Sequence, residues 1–204
     1  MKVFKQIACL ALVFVMTIGL VACTPKEFKH KKMIDFCKEY KMDEFDDKDD
    51  FSMVYSSYTV MGSEAEGGAY ISCDNGAAQD MYDITINRLD AYPDCDVDKS
   101  TLFAYCDGKG GTYIGFLFTM DDEKEAEKLF EEFVDDSNED SESGEGKGYS
   151  YCVKSGENSK GKLMSSGYYL CGKTIILFRG MSDNADFVDD FCKNFKVKSP
   201  SEIK

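Results

Sequence analysis

The chain contains no tryptophan and one histidine, His30. Without tryptophan the core must be filled by its 15 phenylalanines and 12 tyrosines. A single histidine leaves little room for Ser-His-Asp or Cys-His chemistry, which needs an imidazole inside a folded pocket. His30 falls in a basic stretch near the N-terminus, so it reads as an exposed tether residue. No two cysteines are spaced C-x-x-C, so neither a zinc site nor a thioredoxin motif is visible. Gly108, Gly110 and Gly111 lack the Lys-Ser/Thr and helix that complete a phosphate loop. No apolar run reaches the roughly 20 residues of a permanent membrane helix. Basic residues are outnumbered 24 to 38, for a net charge of −14. That balance offers no basic face and argues against nucleic acid.

The N-terminus carries the most specific pattern. Lys2 and Lys5 precede a run from Ile7 to Ala22 that is apolar or small except at Thr17. This is the charge and hydropathy order of an export signal. It ends in Leu20-Val21-Ala22-Cys23, which resembles the lipobox of bacterial lipoproteins. An ordinary secretory signal would favour small residues at −1 and −3; Ala22 fits and Leu20 does not. The resemblance implies cleavage before Cys23, transfer of diacylglyceryl to its thiol, and stable anchoring by more than one acyl chain. Residues 1–22 are then the signal peptide, 23–32 a lipidated basic tether, and 33–204 one domain. Lys26, Lys29, Lys31 and Lys32 would lie beside anionic head groups.

Seven cysteines follow Cys23. The number is odd, so at least one is unpaired. Cys37 and Cys192 fall on the apolar faces of predicted helices, where a thiol acts as a small hydrophobe. A Cys73–Cys95 disulfide is possible. Unpaired thiols in an exported chain fit a low-oxygen setting.

Periodicity predicts a helix to about Met42, with Met33, Ile34, Cys37 and Tyr40 on one face. Residues 43–50 read as a charged turn. The Val, Tyr and Thr content of 52–61 predicts a strand, and 69–73 a short second one. A helix is expected from Asn75 to Leu89, strands at 101–106 and 112–120, and between them a Gly-rich hairpin turn. Asp122 and Glu125 form a possible capping box for a helix with Ala126, Leu129, Phe130 and Phe133 inward. Residues 135–148 read as an acidic flexible loop. Further strands are expected at 148–154, 162–170 and 174–179. A closing helix follows, with Phe187, Val188, Phe191, Cys192 and Phe195 inward.

A weak repeat links Asp74, Ala78, Met81 and Tyr82 to Asp122, Ala126, Leu129 and Phe130, each set following a strand. The expected fold is α+β: a twisted, mostly antiparallel sheet with three to four helices on one face. The segment from Gly115 to Phe133, GFLFTMDDEKEAEKLFEEF, with the hairpins and short helix after it, looks like the small α+β lipoproteins of Gram-positive anaerobes. That likeness implies a location and a fold, and no activity.

Among candidate sites, Asp94, Asp96, Asp98 and Ser100 alternate like the first ligands of a calcium loop. Lys99 and Tyr105, however, stand where that loop needs Gly and a bidentate Glu, so calcium binding would be weak. Tyr149, Tyr151, Tyr168 and Tyr169 could present rings to a sugar or peptide, although a core and rim role is the blander account. The many carboxylates single out no catalytic pair. The expectation is a monomeric, membrane-anchored module on the extracytoplasmic face, without enzymatic activity, that binds a cell-envelope protein or ligand. The alternatives are an enzyme or enzyme inhibitor with a fold-assembled site, and a weak calcium binder.

Overall fold

A computed structural model describes residues 26–61, 66–86, 92–137 and 140–203. The signal segment and Cys23 lie outside the described residues.

Helix α1 (His30–Glu39) leads to a short strand β1 (Asp43–Phe45) and helix α2 (Lys48–Met61). Strand β2 (Glu66–Asp74) feeds helix α3 (Asn75–Thr85). Strands β3 (Val97–Asp107) and β4 (Thr112–Met120) form a hairpin, and β4 feeds helix α4 (Glu123–Asp135). Strands β5 (Ser141–Glu145), β6 (Ser150–Glu157), β7 (Leu163–Cys171) and β8 (Thr174–Ser182) precede helix α5 (Asp186–Phe195). All eight strands make one sheet in the order β1-β2-β3-β4-β8-β7-β6-β5. Only β1 and β2 run parallel.

The α+β class and the mostly antiparallel sheet agree with the sequence reading. Two parts of that reading are corrected. Five helices lie among the described residues, and they cover both faces. Helices α1 and α5 pack on one face, with Phe36, Phe103, Phe178, Phe187 and Phe191 at its centre. Helices α2, α3 and α4 cover the other, over Leu102, Phe116, Phe118, Ile175 and Leu177. The cause lies in the central strands. Leu102 through Cys106 are all buried, and so are Ile175 through Phe178. A strand apolar on both sides needs cover on both sides.

The segment expected as a strand at 52–61 is helix α2. Asp47 starts it: its carboxylate accepts from the backbone N–H groups of Asp49 and Asp50, at 2.8 and 3.1 Å. Asp49 and Asp50 lie in the first turn, where the helix dipole favours negative charge. Phe51 is then fully buried, and Tyr55, one turn on, reaches Phe116. Tertiary burial thus overrides the β propensity of Val, Tyr and Thr. Part of the expected flexible acidic loop, Ser141–Glu145, is strand β5, paired with β6 at the sheet edge. The hairpins and the last two helices fall close to expectation, and all five inward residues named for the closing helix are buried.

The weak repeat has a geometric counterpart. Asp74 and Asp122 both hold extended backbone before a helix. Ala78, Met81 and Tyr82 occupy the same cluster as Ala126, Leu129 and Phe130.

The tether is not loose over its described part. Phe28 is buried against Phe195 and Tyr149, and its backbone N–H donates to Thr174 Oγ1 at 2.8 Å. His30, expected to be exposed, has Nδ1 at 2.8 Å from Thr101 Oγ1 and Nε2 at 2.9 Å from Thr119 Oγ1. Of the tether lysines, Lys29 pairs with Glu27, Lys31 with Asp35, and Lys32 donates to the Asn194 carbonyl.

Candidate functional site

The sheet ends differ. At one end Thr174, Thr101 and Thr119 hold the N-terminal segment. At the other end, on the side of α2 and α4, the helices leave part of the sheet bare. A cavity of about 590 Å³ opens there over β4, β8, β7 and β6. Its size is typical of a small-molecule site.

Strand alternation supplies its walls. Ile114 of β4, Met164 and Tyr168 of β7, and Arg179 and Met181 of β8 all line it, with Lys154 and Gly156 from β6. Met164 is 44 % exposed. The β6–β7 turn forms the rim. Asn158 organises it by accepting from the N–H groups of Lys160 and Lys162, at 2.9 and 3.0 Å. Its amide also donates to Met181 Sδ at 3.5 Å.

Three charged residues line the cavity: Arg179, Lys154 and Glu157. The Arg179 guanidinium donates to Tyr168 Oη at 2.9 Å. The Tyr168 ring stacks on Phe133 of α4, with centroids 4.9 Å apart and planes 13° apart. Phe133 also meets Tyr92, whose hydroxyl donates to Asp136 at 2.8 Å. Burial first, and then Asp136, push the Tyr92 hydroxyl up to about 12. The arginine is thus held through a relay of rings fixed to a helix. Nearby, burial raises the Tyr55 hydroxyl and the Arg179 charge pulls it back. Every ion pair among the described residues is made by a lysine. Arg179 has no carboxylate within 4 Å among them, in a chain with 38 acidic residues. Lys154, on the same side of the cavity, faces Asp140 at 3.7 Å. A guanidinium cannot lose its charge, and its planar fork matches a carboxylate or phosphate.

The sites read from sequence lie elsewhere. Asp94, Asp96 and Asp98 are exposed beside the start of β3, at the tether end. The Asp96 backbone N–H donates to Glu125, and Asp98 lies 3.8 Å from the Lys173 ammonium. Among the described residues no group of three or more His, Cys, Asp or Glu is arranged to hold a metal. The four tyrosines do not share a surface. Tyr169 is fully buried under α5 and donates to the Lys198 carbonyl at 2.8 Å. Tyr149 and Tyr151 flank it, while Tyr168 points to the opposite face. Cys73 and Cys95 both carry free thiols, so the possible disulfide is not formed. Burial and the neighbouring Asp74 raise the Cys73 thiol, while Cys37, Cys95 and Cys192 are raised chiefly by burial.

Sequence reasoning missed Arg179, Met181 and Met164. One signal was available: Arg179 follows Ile175-Ile176-Leu177-Phe178, and a charge ending so apolar a strand is out of keeping with its neighbours.

No protein-family model matches the chain, and no curated protein does. Two solved structures are similar to it. One is the extracellular domain of PknH from Mycobacterium tuberculosis, with 6 % identity over 73 % of this chain and 94 % of that one, and a TM-score of 0.42. The other is a GTP-binding regulator from Thermotoga maritima, with 11 % identity over 72 % of this chain and 90 % of that one, and a TM-score of 0.34. At these scores the likeness carries no functional information.

Proposed function

We propose that the chain is a lipid-anchored binding module on the extracytoplasmic face of a membrane, without enzymatic activity, and that the cavity beside Arg179 is its ligand site. One observation carries this reading: the tether and the cavity occupy opposite ends of the same strand. Thr174, at the start of β8, holds the backbone of Phe28. Met181, near its end, lines the cavity. That separation is about 23 Å at the rise of an antiparallel strand.

The geometry supports an anchored posture. Cys23 is three residues before Lys26, whose carbonyl lies against Gly172 in the β7–β8 turn. Three extended residues reach at most about 11 Å. A lipid on Cys23 therefore keeps the β7–β8 turn close to the bilayer and turns the cavity away from it. A fixed cavity, open to the medium, suits capture of a ligand from outside the cell.

The test is fractionation of native cells expressing the chain or its Cys23→Ala variant. The parent chain is expected in the membrane fraction and released only by detergent. The variant is expected in the soluble fraction, or retained as an uncleaved precursor of higher mass. A variant that matures and stays membrane-bound like the parent would overturn the anchoring.

A further inference from the structure

We infer that the cavity takes a small amphiphile bearing one negative charge, and that Arg179 binds its head group; the carboxylate of a mid-length apolar acid is the simplest member of this class. This rests on the cavity being the ligand site. It does not depend on lipidation of Cys23.

Three features specify the ligand. The first is charge. Arg179 is the one described arginine, and its only hydrogen-bond acceptor among the described residues is the neutral Tyr168 hydroxyl. A guanidinium presents five N–H donors, so most remain for a ligand. In a chain of net charge −14, a guanidinium with no carboxylate within 4 Å among the described residues is conspicuous, the more so with Glu157 in the lining of the same cavity. Among so many acids, one could readily have been paired with it.

The second feature is the lining. Ile114, Met164 and Met181 supply an apolar floor on the same side of the sheet as Arg179, with Lys154, Glu157, Ser165 and Ser166 completing the lining. Methionine is unbranched and polarizable, and it adapts to chains of different shape. An inorganic anion would use the guanidinium and waste this surface. A neutral hydrocarbon would use the surface and leave the guanidinium unpaired. An amphiphile with a single oxyanion uses both. The Tyr168 ring, stacked on Phe133, fixes the guanidinium at the junction of the two parts.

The third feature is size. A volume of about 590 Å³ admits a molecule of drug or short-lipid size and excludes a folded partner. Gly156 leaves the β6 wall open, with nothing within 4 Å of the place a Cβ would take. An alkyl tail therefore has a way out toward the rim.

The experiment compares two fluorescent probes that differ in charge and by one methyl group: 11-(dansylamino)undecanoic acid and its methyl ester. The protein is the chain from residue 23 onward with Cys23→Ala, so that no lipid competes. The acid is expected to bind saturably, about tenfold tighter than the ester, as one charge-assisted hydrogen-bonded contact provides. Arg179→Gln should remove that preference while leaving the affinity for the ester and the circular dichroism unchanged. Arg179→Lys should keep part of it. Met164→Asp should weaken both probes.

Equal binding of acid and ester to the parent, or a preference that survives Arg179→Gln, overturns the anionic class and leaves the cavity as the site. Undiminished binding of both probes to Met164→Asp overturns the cavity itself. Absence of saturable binding by either probe overturns the amphiphile assignment. None of these results bears on the fractionation of Cys23→Ala.

Discussion

Among the strand glycines, Gly115 is tightly enclosed. It lies opposite Phe103 on β3 and Phe178 on β8. A Cβ built there would come within 2.2 Å of the Phe103 ring. That ring cannot step aside, because Phe36, Phe187 and Phe191 surround it. Gly115→Ala is expected to destabilise by about 1–3 kcal/mol, as overpacking does, read from the urea midpoint. His30 sets a different kind of sensitivity. Burial, and then Lys99, hold its pKa down to about 4, with Asp74 opposing. The folded chain therefore keeps the ring neutral, while the unfolded chain protonates it near the ordinary 6.5. Stability from this group is complete above about pH 6.5 and is lost as pH falls toward about 4. Between pH 7.5 and 5.0 the parent should lose about 1–2 kcal/mol more than His30→Gln. Equal losses in denaturant melts at the two pH values would refute this. Sequence alone had His30 exposed, because the Thr101 and Thr119 hydroxyls that receive it lie far along the chain.

The elements show which local signals survive folding. Asp122 caps α4 by accepting from the Glu125 N–H at 3.0 Å. Asp74, its counterpart in the repeat, has the same extended backbone but makes no cap bond; it pairs with Lys99 at 2.7 Å. Asp122→Ala should therefore cost about 1 kcal/mol, and Asp74→Ala clearly less, since exposed pairs are weak. Thermal melts of the two variants check the contrast; equal shifts would show that the cap bond is not what matters. The Asp122 cap was legible because its partner is three residues on; the reciprocal half of the expected capping box is not formed, since the Glu125 carboxylate accepts from the Asp96 N–H instead. Helix α2 was not, because its evidence is burial of Phe51 and Tyr55 on a sheet whose strands come later. Strand β5 was missed for a related reason: SESGE has no apolar alternation, and its pairing with β6 supplies the order.

At the scale of the whole molecule, the mostly antiparallel sheet was legible from its hairpins; its second covered face was missed, although the continuous apolar runs of β3 and β8 carry it. The cavity was not legible, since it arises from where helices stop, and no motif encodes that. Burial also decides the chemistry of the thiols. Cys73 is the one cysteine of the described chain that is not fully buried. Native protein beginning at residue 23 and carrying Cys23→Ala should therefore react promptly with a thiol reagent at one position, with the rest following only in denaturant. Two or more rapid equivalents would contradict the packing described.

The same burial bears on how the chain reaches this state. Cys37 and Cys192 are hidden only after α1 and α5 have closed over the sheet, and Cys95 and Cys152 only after the opposite layer has formed. The central pairing of β4 with β8 joins distant parts of the sequence, so that closure comes late. On the export route proposed above, all these sulfurs would meet oxidants and one another before the layers close. Once folded, the protein shields six of its thiols by burial. Variants that fold slowly are expected to be lost to sulfur mispairing rather than to simple unfolding.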